Sequence, residues 1–258
     1  MCDFLDALAV TARETVNRGY YRGDYIRKLS PVSLKQGIIH KAGNAVISEI
    51  KPASPSLGEI RSDIDPAKVA CQMEAGGAAG ISVLTEPTHF KGSLENLMIV
   101  REAVKLPVLM KDFIICIEQI NTAYNIGADA ILLIQALFDR EYCEASVDQM
   151  ITEAHSLGLE VLLEAHNVKE FRKAVKTKAD LIGINNRNLK TLSVDTRVTH
   201  RILESCKILE KTLISESGIN TVGDIRSLCD IGSKGFLIGS SIMLSDDIEN
   251  AVREFVQA

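Results

Sequence analysis

The 258-residue sequence lacks the cysteine patterns that mark a zinc site or a disulfide framework. Its six cysteines include no Cys-x-x-Cys pair and no short repeat. Isolated cysteines in such a chain usually behave as small buried thiols. We therefore expect no metal site, and free thiols at Cys2, Cys71, Cys116, Cys143, Cys206 and Cys229.

Long apolar runs and an excess of positive charge are also missing. No run approaches the length that spans a bilayer, and the start MCDFLDALAVTARETVNRGY lacks the basic-then-apolar order of a signal peptide. The formal net charge of -5 argues against the basic stripe that offsets nucleic-acid phosphates. We expect a cytoplasmic protein that binds neither nucleic acid nor a membrane, and any anionic ligand has to meet local cations.

No low-complexity tract, charge block or Pro/Ser-rich linker divides the chain. Its length suits one α/β barrel built around one core. We predict a single domain over 1–258, with a helical extension over 1–43 and a barrel over 44–258. One face of the extension's helix carries Phe4, Leu5, Leu8, Ala12 and Val16. This helix is expected to pack across the barrel, either as a purely structural lid or in contact with substrate.

Short, nearly continuous apolar runs, typical of strands buried on both faces, alternate with stretches of helical period. The predicted strands are Ala45–Ile50, Gly80–Leu84, Pro107–Met110, Ala130–Ile134, Glu160–Leu163, Leu181–Ile184, Thr212–Ile214 and Gly235–Ile238. The predicted helices that follow them are Pro66–Ala75, Leu94–Val104, Glu118–Ile126, Val147–Leu157, Val168–Val175, Thr196–Glu204, Thr221–Cys229 and Ile248–Phe255. Eight such units predict an α/β fold of the (βα)8 TIM-barrel type. The alternative, a doubly wound open sheet, normally has a Gly-rich turn after its first strand, and EIKPASPSLGEI has one late glycine.

Polar residues that abruptly end the apolar runs are candidates for function, because the active site of this fold lies at the carboxyl ends of the strands. Glu49 and Lys51 are two residues apart and point to the same side, into the barrel mouth, although a structural ion pair is the alternative. Lys111 follows the run PVLM, where a desolvated, cation-rich site is expected to lower its pKa. Glu164 ends the run EVLL and should pair with one of the two lysines.

The later strands supply a planar cation and a phosphate cradle. Arg187 follows Asn185 after the sixth strand and suits a carboxylate. Glu216 and the Gly-Ser turns after strands seven and eight lie where barrels commonly bind phosphate, although Gly-Ser turns are also ordinary loop chemistry. Three acids, two lysines and an arginine beside such a cradle indicate general acid–base chemistry on a small phosphorylated anion. The residues alone carry the argument no further than that class.

The strand ends, in their order along the chain, resemble those of the indole-3-glycerol phosphate synthase family. The matching segments are SEIKPASPSLG, SVLTEPTHFKGSLENL, PVLMKDFII, GADAILLI, LLEAHN, IGINNRNL, ISESGI and IGSSIM. The resemblance implies conversion of 1-(2-carboxyphenylamino)-1-deoxyribulose 5-phosphate into indole-3-glycerol phosphate, with release of carbon dioxide and water. It also implies that no metal or organic cofactor takes part.

The resemblance further implies a role for each candidate. Lys111 is the general acid of ring closure, Lys51 pairs with the substrate carboxylate, and Glu164 is the base of dehydration, with Lys51 or Lys111 as its acid. The resemblance makes Glu49 and Glu216 orienting carboxylates. The groups expected to hold the substrate are Asn185 and Arg187, with Ser54, Ser217, Gly218, Gly239 and Ser240 at the phosphate and Pro55, Phe90, Phe113, Leu132 and Leu189 at the aromatic ring. Cys116 and His166 are expected to be structural.

The sequence departs from the family pattern at Pro52, Leu57 and Lys91, which affects loop motion and phosphate affinity. A phosphoribosylanthranilate isomerase-like barrel is one alternative, but it works with a Cys/Asp pair on other strands. A catalytically silent barrel that binds a phosphorylated ligand or a partner protein is another. No long exposed apolar stripe is evident, so we expect a monomer.

Overall fold

The structure, a computed structural model, describes residues 3–61, 64–206 and 211–258. Cys2 lies outside these residues, and the other five cysteines are free thiols. Of these five only Cys116 is buried, so the expected burial was wrong for the other four. The described part of the chain contains no helix that is long and apolar enough to cross a membrane.

Eight parallel strands close into one barrel, which confirms the (βα)8 prediction and excludes the open sheet. The strands of the barrel are β1 (Ala45–Ile50), β4 (Gly80–Leu84), β5 (Val108–Lys111), β6 (Ala130–Ile134), β7 (Glu160–Ala165), β8 (Leu181–Asn185), β9 (Thr212–Glu216) and β10 (Gly235–Ile238). The ring closes where β1 pairs with both β4 and β10, for example Ala45 with Gly235. A two-stranded hairpin, β2 (Ala53–Ser54) with β3 (Gly58–Glu59), lies in the loop after β1 and was not predicted.

The helices include all eight that were predicted, with ends that differ by at most one residue. They are α1 (Phe4–Asn17), α2 (Leu34–Ile39), α3 (Pro66–Ala75), α4 (Leu94–Ala103), α5 (Ile117–Asn125), α6 (Gln135–Asp139), α7 (Val147–Ser156), α8 (Val168–Ala174), α9 (Arg197–Ser205), α10 (Val222–Asp230), α11 (Ser240–Met243) and α12 (Ile248–Val256). The short helices α2, α6 and α11 were not predicted, because four to six residues carry too little periodicity to be seen.

Alternation along the strands decides which side chains enter the barrel. A buried apolar cluster fills its interior and includes Ile47, Leu109, Leu162, Leu181 and Ile214. The candidate polar residues at the strand ends lie two or four positions further along the same strands, so the two-residue period of a strand turns them inward as well. The interior is therefore apolar below and charged at the mouth.

Four strands end one or two residues later than predicted and include the polar residues themselves. Lys111 pairs in register with Leu84, Glu164 with Ile134, and Asn185 with Glu216. These side chains therefore start from hydrogen-bonded sheet rather than from loops, which fixes their directions.

The N-terminal extension covers both ends of the barrel. Leu5 and Leu8 of α1 are buried against the interior cluster at the mouth. Leu34 and Ile38 of α2 are buried at the opposite end, the floor, where a Cβ at Gly80 would come within 2.5 Å of Leu34 Cδ1. The segment between the two helices therefore runs down the outside of the barrel from mouth to floor.

A buried ion network ties this segment to the floor. Arg27 contacts Asp129 at 2.7 Å, and Arg101 contacts the other oxygen of the same carboxylate at 2.6 Å. Asp129 also accepts hydrogen bonds from the backbone N–H groups of Val32 and Val108. Two cations and two N–H donors surround one buried carboxylate, which satisfies it fully.

Candidate active site

A cavity of about 360 Å³ opens at the mouth of the barrel, beneath α1. Every residue that sequence analysis proposed for the site lines it. They are Glu49, Lys51, Ser54, Pro55, Phe90, Lys111, Phe113, Leu132, Glu164, Asn185, Arg187, Leu189, Glu216, Ser217, Gly218, Gly239 and Ser240. The structure thus brings residues from all eight barrel strands and their loops around one space.

Lys111 lies between two carboxylates of the opposite wall. Its Nζ is 3.5 Å from Glu164 Oε2 and 3.4 Å from Glu216 Oε2. Both glutamate side chains are buried, and the lysine side chain is 13% exposed. Distances of this length are loose for charged partners, which approach to 2.7–2.9 Å in a strong ion pair. The ammonium group is held by attraction from both sides and remains free to reach a substrate.

The expectation that the pKa of Lys111 is lowered was wrong. Burial does lower it, but the attraction of Glu216, Glu164 and Glu49 outweighs burial, so the pKa of Lys111 is raised above its ordinary value. The expectation counted the cations of the site and not the three carboxylates that converge on this lysine. Lys111 is therefore a protonated ammonium group at neutral pH.

The environments of Glu164 and Glu216 push the pKa values of the two carboxyl groups apart. Burial raises both, but Lys111 and His166 together bring the pKa of Glu164 below its ordinary value. Glu216 has the attraction of Lys111 and the repulsion of Glu164 and Glu49, so its pKa is raised. The same lysine is thus flanked by two carboxyl groups with different pKa values, an arrangement that can both accept and donate protons.

Glu49 and Lys51 form the ion pair that their spacing predicts, with Lys51 Nζ 3.0 Å from Glu49 Oε1. The pKa of Glu49 is lowered, because Lys51 and Lys111 outweigh the effect of burial. The pair packs against the backbone at Gly239, in the loop after β10. A Cβ at Gly239 would come within 2.6 Å of Glu49 Oε1, which explains the glycine there.

A second glycine makes room for Glu216. A Cβ at Gly183 would come within 2.1 Å of Glu216 Oε1, so no side chain fits at this position of β8. Asn185, two residues further on, accepts a hydrogen bond from the backbone N–H of Arg187. In β8, Gly183 therefore leaves space for the carboxyl group of Glu216, and Asn185 at the end of the strand lines the cavity.

The loops after β9 and β10 form the polar end of the cavity. Ser217 and Gly218 both have left-handed backbone, with φ of 68° and 79°. Gly239 precedes the short helix α11, which starts at Ser240. Ser54, in the hairpin after β1, accepts a hydrogen bond from Leu57 N–H at 3.2 Å. Backbone and hydroxyl donors converge where this fold commonly binds phosphate.

The opposite end of the cavity is apolar. Phe90 and Phe113 pack at a tilted angle with ring centroids 5.9 Å apart. Sequence analysis missed Phe4 and Leu8 of α1, which line the same cavity. Their place on the apolar face of the extension was the only available signal, and it left the structural lid and the substrate contact open. The structure places the helix over the cavity itself.

Two loop contacts connect the rim. Arg187 donates to Ser56 Oγ at 3.0 Å and to the Leu192 carbonyl at 2.9 Å, rather than to a carboxylate of the protein. Lys91 Nζ lies 2.6 Å from Glu59 Oε2, which joins the second barrel loop to the hairpin. Arg187 is half-buried at the cavity, so a ligand carboxylate or phosphate can reach its guanidinium.

Sequence analysis also left His166 as structural, and the structure places its ring against Glu164. His166 Nε2 lies 2.9 Å from Glu164 Oε1. The signal was the two-residue spacing of Glu164 and His166, which puts both side chains on one face of an extended segment.

Comparison with known proteins identifies relatives over nearly the whole chain. A family model described as indole-3-glycerol phosphate synthase matches residues 11–255. An indole-3-glycerol phosphate synthase of Carboxydothermus hydrogenoformans is 39% identical over 257 residues, covering 95% of this chain and 96% of the relative. Another of the same name, from Neisseria meningitidis, is 46% identical over 208 residues, covering 81% of this chain and 78% of the relative.

Solved structures share the architecture at much lower identity. A thiamine phosphate pyrophosphorylase from Pyrococcus furiosus has a TM-score of 0.61 at 16% identity, covering 86% of this chain and 96% of its own. An N-acetylmannosamine-6-phosphate 2-epimerase from Clostridium perfringens has a TM-score of 0.61 at 15% identity, covering 83% and 92%. At these identities the similarity shows the barrel fold alone.

Proposed function

The chain belongs to the indole-3-glycerol phosphate synthase family, and from this we propose that the cavity at the barrel mouth is its active site. As a member of the family it is a carboxy-lyase of tryptophan biosynthesis. It converts 1-(2-carboxyphenylamino)-1-deoxyribulose 5-phosphate into indole-3-glycerol phosphate, with release of carbon dioxide and water. One observation carries the assignment of the site: Lys111 Nζ lies between two buried carboxyl groups, 3.5 Å from Glu164 and 3.4 Å from Glu216, whose environments push their pKa values apart.

Lys111 is the general acid of ring closure. A ring carbon of the substrate attacks the ribulose carbonyl carbon, and the carbonyl oxygen takes up the electron pair and needs a proton. The raised pKa of Lys111 keeps that proton available at neutral pH. Lys51, held by Glu49 at 3.0 Å, faces the substrate carboxylate. The geometry supports this role because both ammonium groups line the same cavity.

Glu164 is the base of dehydration. When the carboxylate leaves as carbon dioxide, its bonding electrons return to the ring and restore aromaticity. The last step then removes a proton from carbon and expels a hydroxyl group as water. The lowered pKa of Glu164 keeps it ionised and able to take the proton, and Lys51 or Lys111 protonates the hydroxyl. Glu216 and Glu49 orient the two lysines.

The two ends of the cavity bind different parts of the substrate. Substrate phosphate binds the backbone and hydroxyl donors of Ser54, Ser217, Gly218, Gly239 and Ser240. Asn185 and Arg187 hold the substrate between this end and the apolar wall. The anthranilate ring lies against Pro55, Phe90, Phe113, Leu132 and Leu189. The chemistry of each end supports this orientation, since the cavity is polar where the loops after β9 and β10 meet and apolar beneath α1.

The oligomeric state and the location of the enzyme belong to the proposal too. We infer a cytoplasmic monomer from the composition of the chain. Light scattering behind a sizing column checks the first part, since a monomer has a mass of 28.2 kDa. A mass near twice that value would contradict it.

The test of function is turnover of carboxyphenylamino-deoxyribulose phosphate in the presence of a metal chelator. Indole fluorescence follows the product and a coupled assay follows carbon dioxide. We expect both products in equal amounts at a catalytic rate. Tight binding without product would instead indicate a silent barrel, and absence of binding would remove the substrate assignment.

A further inference from the structure

His166 connects two carboxylates from different elements. It follows β7 directly, and its side chain is 9% exposed. Nε2 lies 2.9 Å from Glu164 Oε1, and Nδ1 lies 3.1 Å from Glu170 Oε2 on the first turn of α8. Nδ1 is hydrogen-bonded to Glu170, whereas Nε2 makes no well-aligned hydrogen bond and contacts Glu164 as an ion pair.

The chemistry of imidazole decides its charge in this arrangement. A neutral imidazole has one N–H donor, and an imidazolium has two. Two ionised carboxylates, one on each ring nitrogen, are satisfied only by the imidazolium form. Burial alone lowers the pKa of His166, but the contacts with Glu164 and Glu170 outweigh it and raise the pKa to about 9.

Glu170 is itself fixed in place. Its carboxylate accepts hydrogen bonds from the backbone N–H of His166 at 2.7 Å and from the side-chain Nδ2 of Asn167 at 2.5 Å. Asn167 in turn caps α8 through the Glu170 N–H. The carboxylate that holds His166 is thus anchored to the start of a helix and does not need to move.

The two carboxylate oxygens of Glu164 contact different partners. Oε1 contacts His166, and Oε2 is the oxygen 3.5 Å from Lys111. We propose that His166 is a positioning residue for the reaction: as an imidazolium clamped by Glu170, it holds Oε1 of Glu164 and leaves Oε2 as the oxygen that acts on substrate. This inference rests on the proposed role of Glu164 as the base.

His166 also faces a second cavity, on the outer side of the barrel. That cavity, of about 320 Å³, is lined by His166 together with residues at the start of α8 and along α9. The charged groups that α9 contributes to it are Arg201 and Glu204. His166 is not among the residues that line the mouth cavity. Substrate bound at the mouth therefore does not cover the side of His166 that faces this second cavity.

His166→Gln tests the role in turnover. The variant keeps an amide donor and removes the charge. We expect kcat to fall by about 10- to 100-fold, less than the full contribution of a general base, with KM within about threefold. Loss of the cation raises the pKa of Glu164, so the acid-side fall in kcat should move to higher pH. A kcat profile that matches the unmodified enzyme overturns the proposal.

Glu170→Gln is a second variant of nearly the same shape. Removal of this anion lowers the pKa of His166, so activity should be lost at a lower pH on the alkaline side. His155→Gln is the matched control, because His155 contacts Asp180 at 2.9 Å on the surface, away from both cavities. We expect no change of profile in the control. An unchanged alkaline limb in Glu170→Gln would contradict the clamp.

Nitrogen-15 NMR of the imidazole rings gives a readout that needs no turnover. The His166 signal is assigned by its loss in His166→Gln. Both ring nitrogens should be protonated at pH 7.5, and a single protonated nitrogen overturns the proposal. Glu164→Gln distinguishes the proposed role of Glu164 as the base from the proposed role of His166. Full turnover in Glu164→Gln removes the proposed base, whereas an inactive Glu164→Gln beside a normal His166→Gln removes only the role of His166.

Discussion

The two ends of the barrel bury charge in opposite ways. At the floor, Asp129 has two arginines at 2.6 and 2.7 Å and two backbone donors, and its side chain is fully buried. At the mouth, Lys111 is 3.4 and 3.5 Å from its carboxylates. The floor cluster is complete without a ligand. The mouth cluster is held together loosely and has room for one.

The difference shows why buried charge alone does not identify an active site. Charges that meet at short distance with every donor used stabilise a fold, and breaking them is costly. Charges that converge on a cavity at long distance have perturbed pKa values and spare capacity for hydrogen bonds. The same barrel thus carries one cluster for stability and one for chemistry. Variants at the floor should lower the free energy of unfolding and leave kcat unchanged, whereas variants at the mouth should lower kcat.

Lys111→Ala should have the largest effect. Loss of the general acid and of the cation between two carboxyl groups should lower kcat by about 10,000-fold, with substrate binding largely kept. Indole fluorescence measures kcat, and titration with a product analogue measures binding. A kcat within tenfold of the unmodified enzyme would remove Lys111 from the mechanism.

Asp129→Asn makes the matching change at the floor. Arg27 and Arg101 would then lose their buried partner, so the free energy of unfolding should fall by about 3 to 5 kcal/mol. Urea titration at neutral pH measures this loss. The kcat of the folded fraction should stay within about twofold. A large fall in kcat at unchanged stability would show that the floor takes part in chemistry, which would contradict the division between a stabilising floor and a catalytic mouth.

Glu164→Gln should lower the rate of indole formation by about 100- to 1,000-fold. Because Glu164 acts after decarboxylation, the first turnover should release carbon dioxide faster than it forms indole. Rapid-quench analysis measures both. Glu102→Gln, on the surface of α4, is the control and should behave as the unmodified enzyme. Equal loss of both products would place Glu164 at ring closure instead.

Lys91→Ala should have the smallest effect, although Lys91 departs from the family pattern. Its contact with Glu59 is between side chains that are 60% and 48% exposed. Exposed pairs contribute about 0 to 1 kcal/mol, so thermal stability and KM should change little, and less still at high salt. A several-fold rise in KM would indicate that this contact closes the rim over substrate.

Sequence reasoning found the barrel and the charged residues of its mouth for one physical reason, whereas contacts such as Ser54 and Phe90 were implied by the family resemblance. Lys111 and Glu164 interrupt apolar runs, and a parallel sheet brings such interruptions to one edge. The fold class and the inward direction of the polar side chains follow from periodicity alone.

What could not be predicted depends on distances across the barrel. The pKa of Lys111 follows from carboxylates on three other strands, and their sum reverses the effect of burial. The contact between His166 and Glu170 and the placement of Phe4 over the cavity depend on how helices settle on the sheet. Periodicity reports which face a residue occupies and says nothing of which neighbour it meets there.

The extension that covers both ends of the barrel has a consequence for synthesis on the ribosome. Asp3 contacts Arg140, and the N–H of Lys35 donates to Glu160. During translation these residues therefore wait for partners more than a hundred positions later, which at ordinary elongation rates is on the order of ten seconds. During that interval the apolar faces of α1 and α2 have no native surface to cover. We therefore expect the segment that carries α1 and α2 to need protection by a chaperone until the residues that cover it have been translated.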